Sequence, residues 1–326
     1  MRRFFSGTFL IFILLNLYLL SFGKSKTDIS FSDKKEITIV ITDSGLGGLT
    51  VMDDIAKKIS KSGHYKKVNL IFVNALFDEN RGYNALSTRE ERINIFNNVL
   101  YGIEDNFAPD IILVACNTLS VIYAETEFVK KGIKQVEGIV QPGVRLIYEN
   151  LSENEKAKVI ITGTESTIAE NSHRASLIQK GISEDRIIVK ACPQLQSYIE
   201  QDPEGEDTEM LISFYMEEVV SQMGTTKIPV YLSLNCTHFA YSENFWKQAF
   251  GNSNVILAKI LNPNSIMGDM LLPEEQQGKY RKTKLTYSVV SKVKLKNKES
   301  MIRVFREDAP ELTKTLDNYY LMPDLF

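Results

Sequence analysis

The chain contains few of the residues that build disulfide scaffolds or structural metal sites. Its 326 residues include three cysteines and three histidines, and no two cysteines have the CxxC spacing of a zinc knuckle. Three cysteines are also too few for a disulfide-stabilised secreted scaffold. The formal net charge of −3 provides no basic surface for nucleic acid. We therefore expect neither a metal site nor a nucleic-acid partner.

The first 23 residues have the layout of a secretory signal peptide. Two arginines precede an apolar run, Phe9–Leu20, and small residues follow at Ser21–Gly23. The run is too short to span a bilayer comfortably. We therefore expect a signal peptide or membrane anchor at 1–23 and a linker at 24–35. This predicts an exported or membrane-anchored protein on the periplasmic side, which touches a membrane only through this segment. A cytoplasmic protein is the alternative.

Strands and helices alternate regularly from residue 36 onwards. A buried strand is predicted at Glu36–Thr42 and a helix at Leu49–Ile59. Further strands are predicted at 68–73, 110–114, 135–140, 158–162, 186–190, 228–234 and 254–259. Alternation at this spacing indicates βαβ units and therefore parallel sheets. The chain, 44% hydrophobic, is long enough to form one large or two medium domains.

Two such series of strands and helices predict an α/β fold of two similar lobes. Each lobe would have a mainly parallel sheet flanked by helices, with the active site in the cleft between the lobes. We assign residues 36–140 to lobe 1, with part of the C-terminal core returning to it, and residues 141–273 to lobe 2. Residues 274–326 are interpreted as an appendage without assigned chemistry. Within them, residues 282–296 alternate polar and apolar side chains, which we interpret as an antiparallel hairpin.

Four polar clusters follow predicted strands, at 43–48, 115–118, 163–167 and 235–238. Open parallel sheets bind ligands beyond the carboxyl ends of their strands, which is where these clusters lie. The glycine loop at 43–48 is not a nucleotide fingerprint, because Thr50 replaces its third glycine and no Walker lysine follows. We expect its backbone N–H groups to hold a substrate carboxylate, with a plain tight turn as the alternative.

Two cysteines carry the strongest chemical signal. Cys116 and Cys236 each follow an apolar strand directly and precede a helix, whose N-terminus favours a reactive thiolate. Either one alone could be a small buried core residue, but two in matching contexts fit one thiol in each lobe. We therefore expect both to face one active site that moves a proton on and off carbon. Cys192 is assigned to the core.

Acidic and basic side chains near these cysteines are candidate helpers. His238 lies two residues past Cys236 and could act as an acid, a base or a charge partner; a core histidine is the alternative. Asp43 is the corresponding candidate for Cys116. Glu200 closes a predicted short helix and could reach the cleft.

Taken together, these motifs resemble the aspartate/glutamate racemase superfamily, and glutamate racemases most. The family's Asp-Ser-Gly-x-Gly-Gly-Leu corresponds to residues 43–49, its Ala-Cys-Asn-Thr-x-Ser to 115–120, and its Gly-Cys-Thr-His-Tyr/Phe to 235–239, with Asn235 in place of glycine. A threonine loop matches at Thr164 and Thr167. The stretch from Cys192 to Glu200 matches Cys-Pro-x-Leu-x-x-x-x-Glu.

The resemblance implies cofactor-independent racemisation of an acidic amino acid, namely L-glutamate to D-glutamate. In the family, the cysteine matching Cys116 acts on the D-isomer and the one matching Cys236 acts on the L-isomer. Asp43 would assist the first, and His238 with Glu200 the second. The substrate's amino and carboxylate groups would be held by Ser44, Asn117, Thr118, Thr164 and Thr237, and Tyr83 would contact the substrate from the pocket wall. The product would supply peptidoglycan precursors of the cell wall, and family members often pair as dimers.

Two departures from the family pattern affect the predicted pocket wall. Asn74-Ala75 replaces Asp-Thr after the second strand, and Gly82-Tyr83-Asn84 replaces Pro-Tyr-Gly. A racemase of aspartate or another amino acid is therefore an alternative, as is a related dicarboxylic-acid isomerase or decarboxylase. A non-catalytic ligand-binding protein is a further alternative. A hydrolase using Cys236 and His238 is disfavoured, because neighbours on one short loop seldom have nucleophile–base geometry.

Overall fold

The computed structural model describes residues 31, 34–224, 227–251, 253–272 and 278–326. Residues 1–23, interpreted as a signal peptide or anchor, and most of the linker at 24–35 lie outside the described residues. No helix within the described ranges is both long and apolar enough to cross a membrane.

Ten strands form two sheets in the described part of the chain. They are β1 (Glu36–Asp43), β2 (Lys67–Asn74), β3 (Ile111–Val114), β4 (Val136–Gly138), β5 (Lys158–Gly163), β6 (Ile187–Ala191), β7 (Pro229–Asn235), β8 (Ile256–Leu261), β9 (Lys284–Ser291) and β10 (Tyr320–Leu321). The first sheet has the order β10-β9-β2-β1-β3-β4 and the second β6-β5-β7-β8. All of the strand pairs within the sheets are parallel. The predicted α/β fold with two parallel-sheet lobes is thus confirmed, and we call each sheet with its helices lobe 1 and lobe 2.

Helices connect the strands and cover the sheets. They are α1 (Leu49–Ser62), α2 (Arg89–Phe107), α3 (Asn117–Ser120), α4 (Glu127–Lys130), α5 (Val140–Glu153), α6 (Glu165–Ala169), α7 (Ser172–Gln179), α8 (Leu195–Gln201), α9 (Glu206–Met223), α10 (Glu243–Gly251), α11 (Lys298–Phe305) and α12 (Pro310–Asp317). Turns of 3-10 helix lie at Tyr83–Ala85, Tyr123–Glu125, Glu184–Arg186, Thr237–Ser242 and Pro263–Leu271.

Local sequence explains where these elements begin and how they are buried. Thr88 caps α2 in a reciprocal capping box with Glu91, which fixes the start of the helix. In β1, Ile39 and Ile41 lie in the core on one face of the first sheet, whereas Val40 lies in the core on the other. A strand buried on both faces carries a continuous apolar run, as expected for a central parallel strand.

The antiparallel hairpin expected at 282–296 is wrong. Lys284–Ser291 is a single strand, β9, which runs parallel to β2 from the Lys67–Lys284 pair to the Asn74–Ser291 pair. Alternating polar and apolar residues indicate that one face of a strand is solvated, and they carry no information on the direction of its neighbour. The domain bounds at residues 140 and 273 stay a prediction.

Candidate functional site

A cavity of about 340 Å³ opens where β1 and β3 of lobe 1 and β5 and β7 of lobe 2 end. Its volume suits a small ligand. All eleven site residues predicted from the sequence line it, namely Asp43, Ser44, Tyr83, Cys116, Asn117, Thr118, Thr164, Glu200, Cys236, Thr237 and His238. The cavity therefore brings one cysteine from each lobe to a shared space.

Cys116 occupies the lobe 1 side of the cavity, at the turn between β3 and α3. Its Sγ lies 3.1 Å from the Ser44 hydroxyl oxygen. Burial, followed by the negative charge of Asp43, raises the pKa of the Cys116 thiol to about 12. The hydrogen bond with Ser44 opposes this increase only in part. Cys116 is therefore a neutral thiol in this state and is suited to donate a proton.

Cys236 occupies the lobe 2 side, beside a largely buried ion pair between His238 and Glu200. Its Sγ lies 3.9 Å from Nδ1 of His238, and Nε2 of the same ring lies 2.7 Å from Oε2 of Glu200. Burial by itself lowers the pKa of His238, but the contacts with Cys236 and the Glu200 carboxylate outweigh burial and raise it well above its usual value. His238 therefore places a positively charged imidazole beside the Cys236 sulfur.

Glu200 is held ionised by its partners. Burial tends to raise its pKa, but the hydrogen bond and charge of His238, followed by the Leu46 N–H, lower it below its usual value. The predicted association of Glu200 with His238 is thus a direct contact. Glu200, His238 and Cys236 therefore form a continuous chain of contacts.

Asp43 makes no hydrogen bond to Cys116, the thiol that it was expected to assist. Its Oδ2 accepts a 2.8 Å hydrogen bond from the Thr237 hydroxyl, and its Oδ1 accepts one of 3.3 Å from the Gly45 N–H. Burial raises the pKa of Asp43, which His238 and Thr237 oppose. Asp43 therefore acts on Cys116 through its charge, while Ser44 makes the contact.

Hydroxyl and amide groups form the floor of the cavity. Thr118, Thr164 and Thr167 make a triangle of hydrogen bonds of 3.0, 3.0 and 3.3 Å. Both side-chain polar atoms of Asn117 are buried without a hydrogen-bond partner among the described residues, as is the Tyr83 hydroxyl. A buried polar group without a partner costs free energy. A ligand with amino and carboxylate groups would provide these partners.

Several cavity residues were not selected from the sequence. Arg81 and its neighbours lie on the loop before Tyr83, Asn297 comes from beyond β9, and Thr167 was matched to the family without being assigned to the site. No motif marks Arg81 or Asn297, so their positions depend on the fold. Cys192 is fully buried in the lobe 2 core, as predicted.

Asn74, one of the two departures from the family pattern, does not line the cavity. Its Nδ2 donates to the Ser291 hydroxyl at 3.2 Å and its Oδ1 accepts from the Leu76 N–H at 3.1 Å. The residue therefore links β2 to β9. The altered part of the cavity wall is the Gly82–Asn84 segment alone.

Within the described ranges, no group of three or more His, Cys, Asp or Glu side chains could hold a metal ion.

No model of a protein family matches the chain. Among known proteins, a glutamate racemase of Sulfurihydrogenibium sp. is 30% identical over 226 residues, which span 67% of this chain and 77% of that protein. The glutamate racemase of Aquifex pyrophilus is 29% identical over 219 residues, 67% of this chain and 77% of the relative.

Solved structures of glutamate racemases have the same fold. The enzyme from Campylobacter jejuni superposes with a TM-score of 0.63 at 19% identity, covering 83% of this chain and 98% of that one. The Francisella tularensis enzyme, solved in complex with D-glutamate, gives a TM-score of 0.61 at 19% identity, covering 84% and 95%.

These relatives overturn the predicted location. Glutamate racemases are cytoplasmic enzymes, so the expectation of an exported or membrane-anchored protein is wrong. An apolar run as short as Phe9–Leu20 is also typical of segments other than signal peptides, and the pattern therefore does not identify an export signal by itself. The run lies outside the described residues.

Proposed function

The chain belongs to the glutamate racemase family, and we propose that it interconverts L-glutamate and D-glutamate without a cofactor by two-thiol proton transfer at the α-carbon. The observation that carries this proposal is the pair Cys116 and Cys236, which line one cavity from different lobes. Inverting a carbon centre requires removal of a proton from one face and delivery to the other, so two acid/base groups on opposite sides are needed.

The surroundings of the two thiols differ in a way that suits one to remove a proton and the other to deliver one. Beside the charged His238, Cys236 takes the α-proton of L-glutamate: the C–H bond breaks, its electron pair stays on carbon, and an S–H bond forms. The neutral thiol of Cys116 then delivers its own proton to the other face, leaving a thiolate that accepts a hydrogen bond from Ser44. The resulting enzyme form is the one that acts on D-glutamate.

The intermediate carries negative charge that spreads from the α-carbon onto the α-carboxylate. The unpartnered Asn117 amide and the hydroxyls of Thr118 and Thr164 are hydrogen-bonding groups already fixed on the cavity floor. Groups fixed before reaction stabilise developing charge without reorganisation. We assign them, with Ser44 and Thr237, to the substrate's amino and carboxylate groups, and Tyr83 to the adjoining wall.

The distal carboxylate of glutamate needs a positive or hydrogen-bonding partner. Among the described residues that line the cavity, Arg81 is the single lysine or arginine. Its guanidinium lies 5.6 Å from the ring centre of Phe77, which in turn packs edge-on against Tyr83 at 5.3 Å. It forms no ion pair with any residue that the structure describes. We propose that Arg81 attracts the distal carboxylate and so favours acidic substrates.

Aspartate, or another amino acid, is the second candidate substrate. The altered Gly82–Asn84 wall favours it, because this segment takes the place of the family's Pro-Tyr-Gly. With glutamate as substrate, the product would serve cell-wall precursors.

We also propose a homodimer, as is common in the family, which sedimentation of the purified chain would test.

The test is solvent exchange at the α-carbon. The full chain is incubated with L-glutamate in D₂O containing reducing agent and EDTA. We expect deuterium at the α-carbon and formation of D-glutamate, and we expect formation of D-glutamate to disappear in Cys116→Ser and in Cys236→Ser. Exchange on aspartate alone would assign the second substrate. A wild-type protein that exchanges no amino acid would overturn the racemase proposal.

A further inference from the structure

Glu200 receives hydrogen bonds on both carboxylate oxygens, and they come from different parts of the chain. Its Oε2 accepts from Nε2 of His238 at 2.7 Å and from the Leu46 N–H at 2.9 Å. Its Oε1 accepts from Nδ2 of Asn297 at 3.4 Å. Asn297 lies beyond β9, in the C-terminal region to which the sequence assigned no chemistry. The carboxylate is thus fixed on one side by the site and on the other by this region.

Asn297 directs its side chain into the cavity instead of capping a helix. It is the N-cap residue of α11, where asparagine usually accepts a hydrogen bond from the first turn, yet its side chain makes no such bond. The amide lines the cavity and donates to Glu200. Asn297 therefore does not cap the first turn of α11 and instead contacts the proposed acid/base residues.

The stretch that carries Asn297 is anchored to lobe 1. Lys296 Nζ donates to Oδ1 of Asn80 at 2.7 Å, on the loop that also carries Arg81. Leu295 is buried in the lobe 1 core, and its N–H donates to the Tyr319 hydroxyl at 3.3 Å. Asn297 is consequently held at a fixed place relative to lobe 1, while Glu200 belongs to α8 of lobe 2.

We propose that Asn297 is a positioning residue for the racemase reaction, an inference that rests on the proposed function. Its amide fixes the Glu200 carboxylate so that the other oxygen keeps His238 charged and directed at Cys236. Without the amide, the carboxylate can rotate about its terminal bond and divide its hydrogen bonding between His238 and solvent. Proton transfer at Cys236 then takes place without a charged His238 beside the sulfur for part of the time.

The electrostatic consequence has a defined sign. The titratable groups that face Glu200 are His238, Asp43 and Tyr241. Asn297 adds a neutral donor that favours the ionised carboxylate. Removing this donor raises the pKa of Glu200, so activity that needs ionised Glu200 is lost at a higher pH during acidification. Replacing it with a carboxylate raises the pKa further, through repulsion of like charges.

The kinetic test compares Asn297→Ala and Asn297→Asp with wild type and with Asn318→Ala. Asn318 is a matched control, because its Nδ2 bonds only a carbonyl in its own exposed turn, Lys314 O at 2.9 Å. In Asn297→Ala we expect kcat/KM to fall about tenfold, as for loss of one hydrogen bond to a charged group. In both Asn297 variants we expect the acid limb of kcat/KM to move to higher pH, with the larger shift in Asn297→Asp. Asn318→Ala should match wild type.

The direction of the reaction gives a further check. Because the equilibrium constant for racemisation is one, kcat/KM must be equal in both directions for each variant. A comparison of the two directions therefore cannot locate the slowed step, but an isotope effect can. If proton removal by Cys236 is slower, the isotope effect with α-deuterated L-glutamate should be larger than in wild type. An Asn297→Ala protein with an unchanged acid limb and an unchanged isotope effect would overturn the proposal.

A titration of His238 separates this inference from the proposed function. The chain has three histidines, so nuclear magnetic resonance of histidine-labelled protein can follow the His238 ring, assigned with His238→Gln. In Asn297→Ala we expect the pKa of His238 to fall. An unchanged titration would overturn the role of Asn297, even in an active racemase. A lowered His238 pKa in a protein without racemase activity would overturn the proposed function alone.

Discussion

The hydroxyl of Thr237, just past β7 of lobe 2, donates a 2.8 Å hydrogen bond to Oδ2 of Asp43 at the end of β1 in lobe 1. The bond joins the two loops that adjoin the cysteines. Both partners are almost completely buried. The separation of the two thiols therefore depends on how closely these loops approach each other.

Gly47 determines how closely the Asp43 loop and the Thr237 loop approach each other. A Cβ atom there would overlap Thr237 Oγ1 and would lie 2.7 Å from Nδ1 of His238. Gly47→Ala should push the loops apart and lower kcat about 100-fold, the usual effect of displacing reacting groups by about 1 Å. Gly251→Ala is the control, since a Cβ at this helical position meets nothing within 4 Å. Equal activity of the two variants would argue against tight contact across the cleft.

Removing one thiol should leave proton exchange on one isomer only. In Cys116→Ala, Cys236 can still remove and return a proton at one face, so L-glutamate should exchange slowly in D₂O without forming D-glutamate. Cys236→Ala should show the reverse, with exchange confined to D-glutamate. Nuclear magnetic resonance of the α-proton, combined with chiral chromatography, measures both. The opposite pattern would exchange the roles assigned to the two cysteines.

Cys192 supplies the matched control for these thiol variants. It is fully buried in the lobe 2 core and is absent from the cavity lining. Cys192→Ala should racemise like wild type while losing about 1 kcal/mol of unfolding free energy. Loss of racemisation in this variant, with the fold intact, would mean that more than two thiols are needed.

The Glu200–His238 pair should make stability depend on pH. The pKa of His238 is raised above 6.5, so its contribution is complete below about pH 6.5 and is lost as pH rises through the raised value. The pKa of Glu200 is lowered from 4.5, so its contribution is complete above that value and is lost as pH falls. Glu200→Gln should therefore destabilise the protein most between about pH 4.5 and 6.5, by about 3 kcal/mol.

Urea unfolding at several pH values measures this effect. The control is Glu243→Gln, which breaks an exposed ion pair with Lys247 and should change stability by less than about 0.5 kcal/mol at each pH. If the cost of Glu200→Gln were the same at pH 5.5 and pH 10, His238 would not be the charged partner of this carboxylate.

Arg81 should determine the preference for a charged side chain in the substrate. Arg81→Gln is expected to raise KM for glutamate about tenfold with little change in kcat, because the contact is equally present in ground and transition states. The rate of α-proton exchange on glutamine should not fall, so the ratio of the exchange rate on glutamate to that on glutamine should decrease. Arg306→Gln, at an exposed position outside the cavity lining, serves as the charge control. An unchanged ratio would exclude Arg81 from substrate selection.

The sequence predicts the parts of this site that lie at strand ends. Cys116, Asp43 and Thr164 each come at the carboxyl end of a buried strand, and parallel strands bring such ends to one edge, so local pattern is sufficient to place them. Glu200 required the family resemblance, because a position near the end of a short helix does not reveal the direction of its carboxylate.

The contributions of Asn297 and Asn74 could not be predicted in the same way. Asn297 lies 97 positions from Glu200 and reaches it because β9 pairs with β2, a pairing that periodicity does not encode. Asn74 was expected in the pocket wall because of the family pattern. It instead bonds Ser291, a residue 217 positions away. Long-range pairing decided the role of both residues.

The position of β9 beside β2 affects the order in which the protein can be completed during synthesis. β2 is made early, but its neighbour on one side is Lys284–Ser291, so the edge of β2 keeps unpaired backbone groups until the ribosome has released this late strand. Open edges of this kind invite pairing with other chains, and long sequence separation slows folding. A nascent chain that stops before residue 284 would carry both cysteines and yet lack the strand that closes lobe 1 and the amide that holds Glu200.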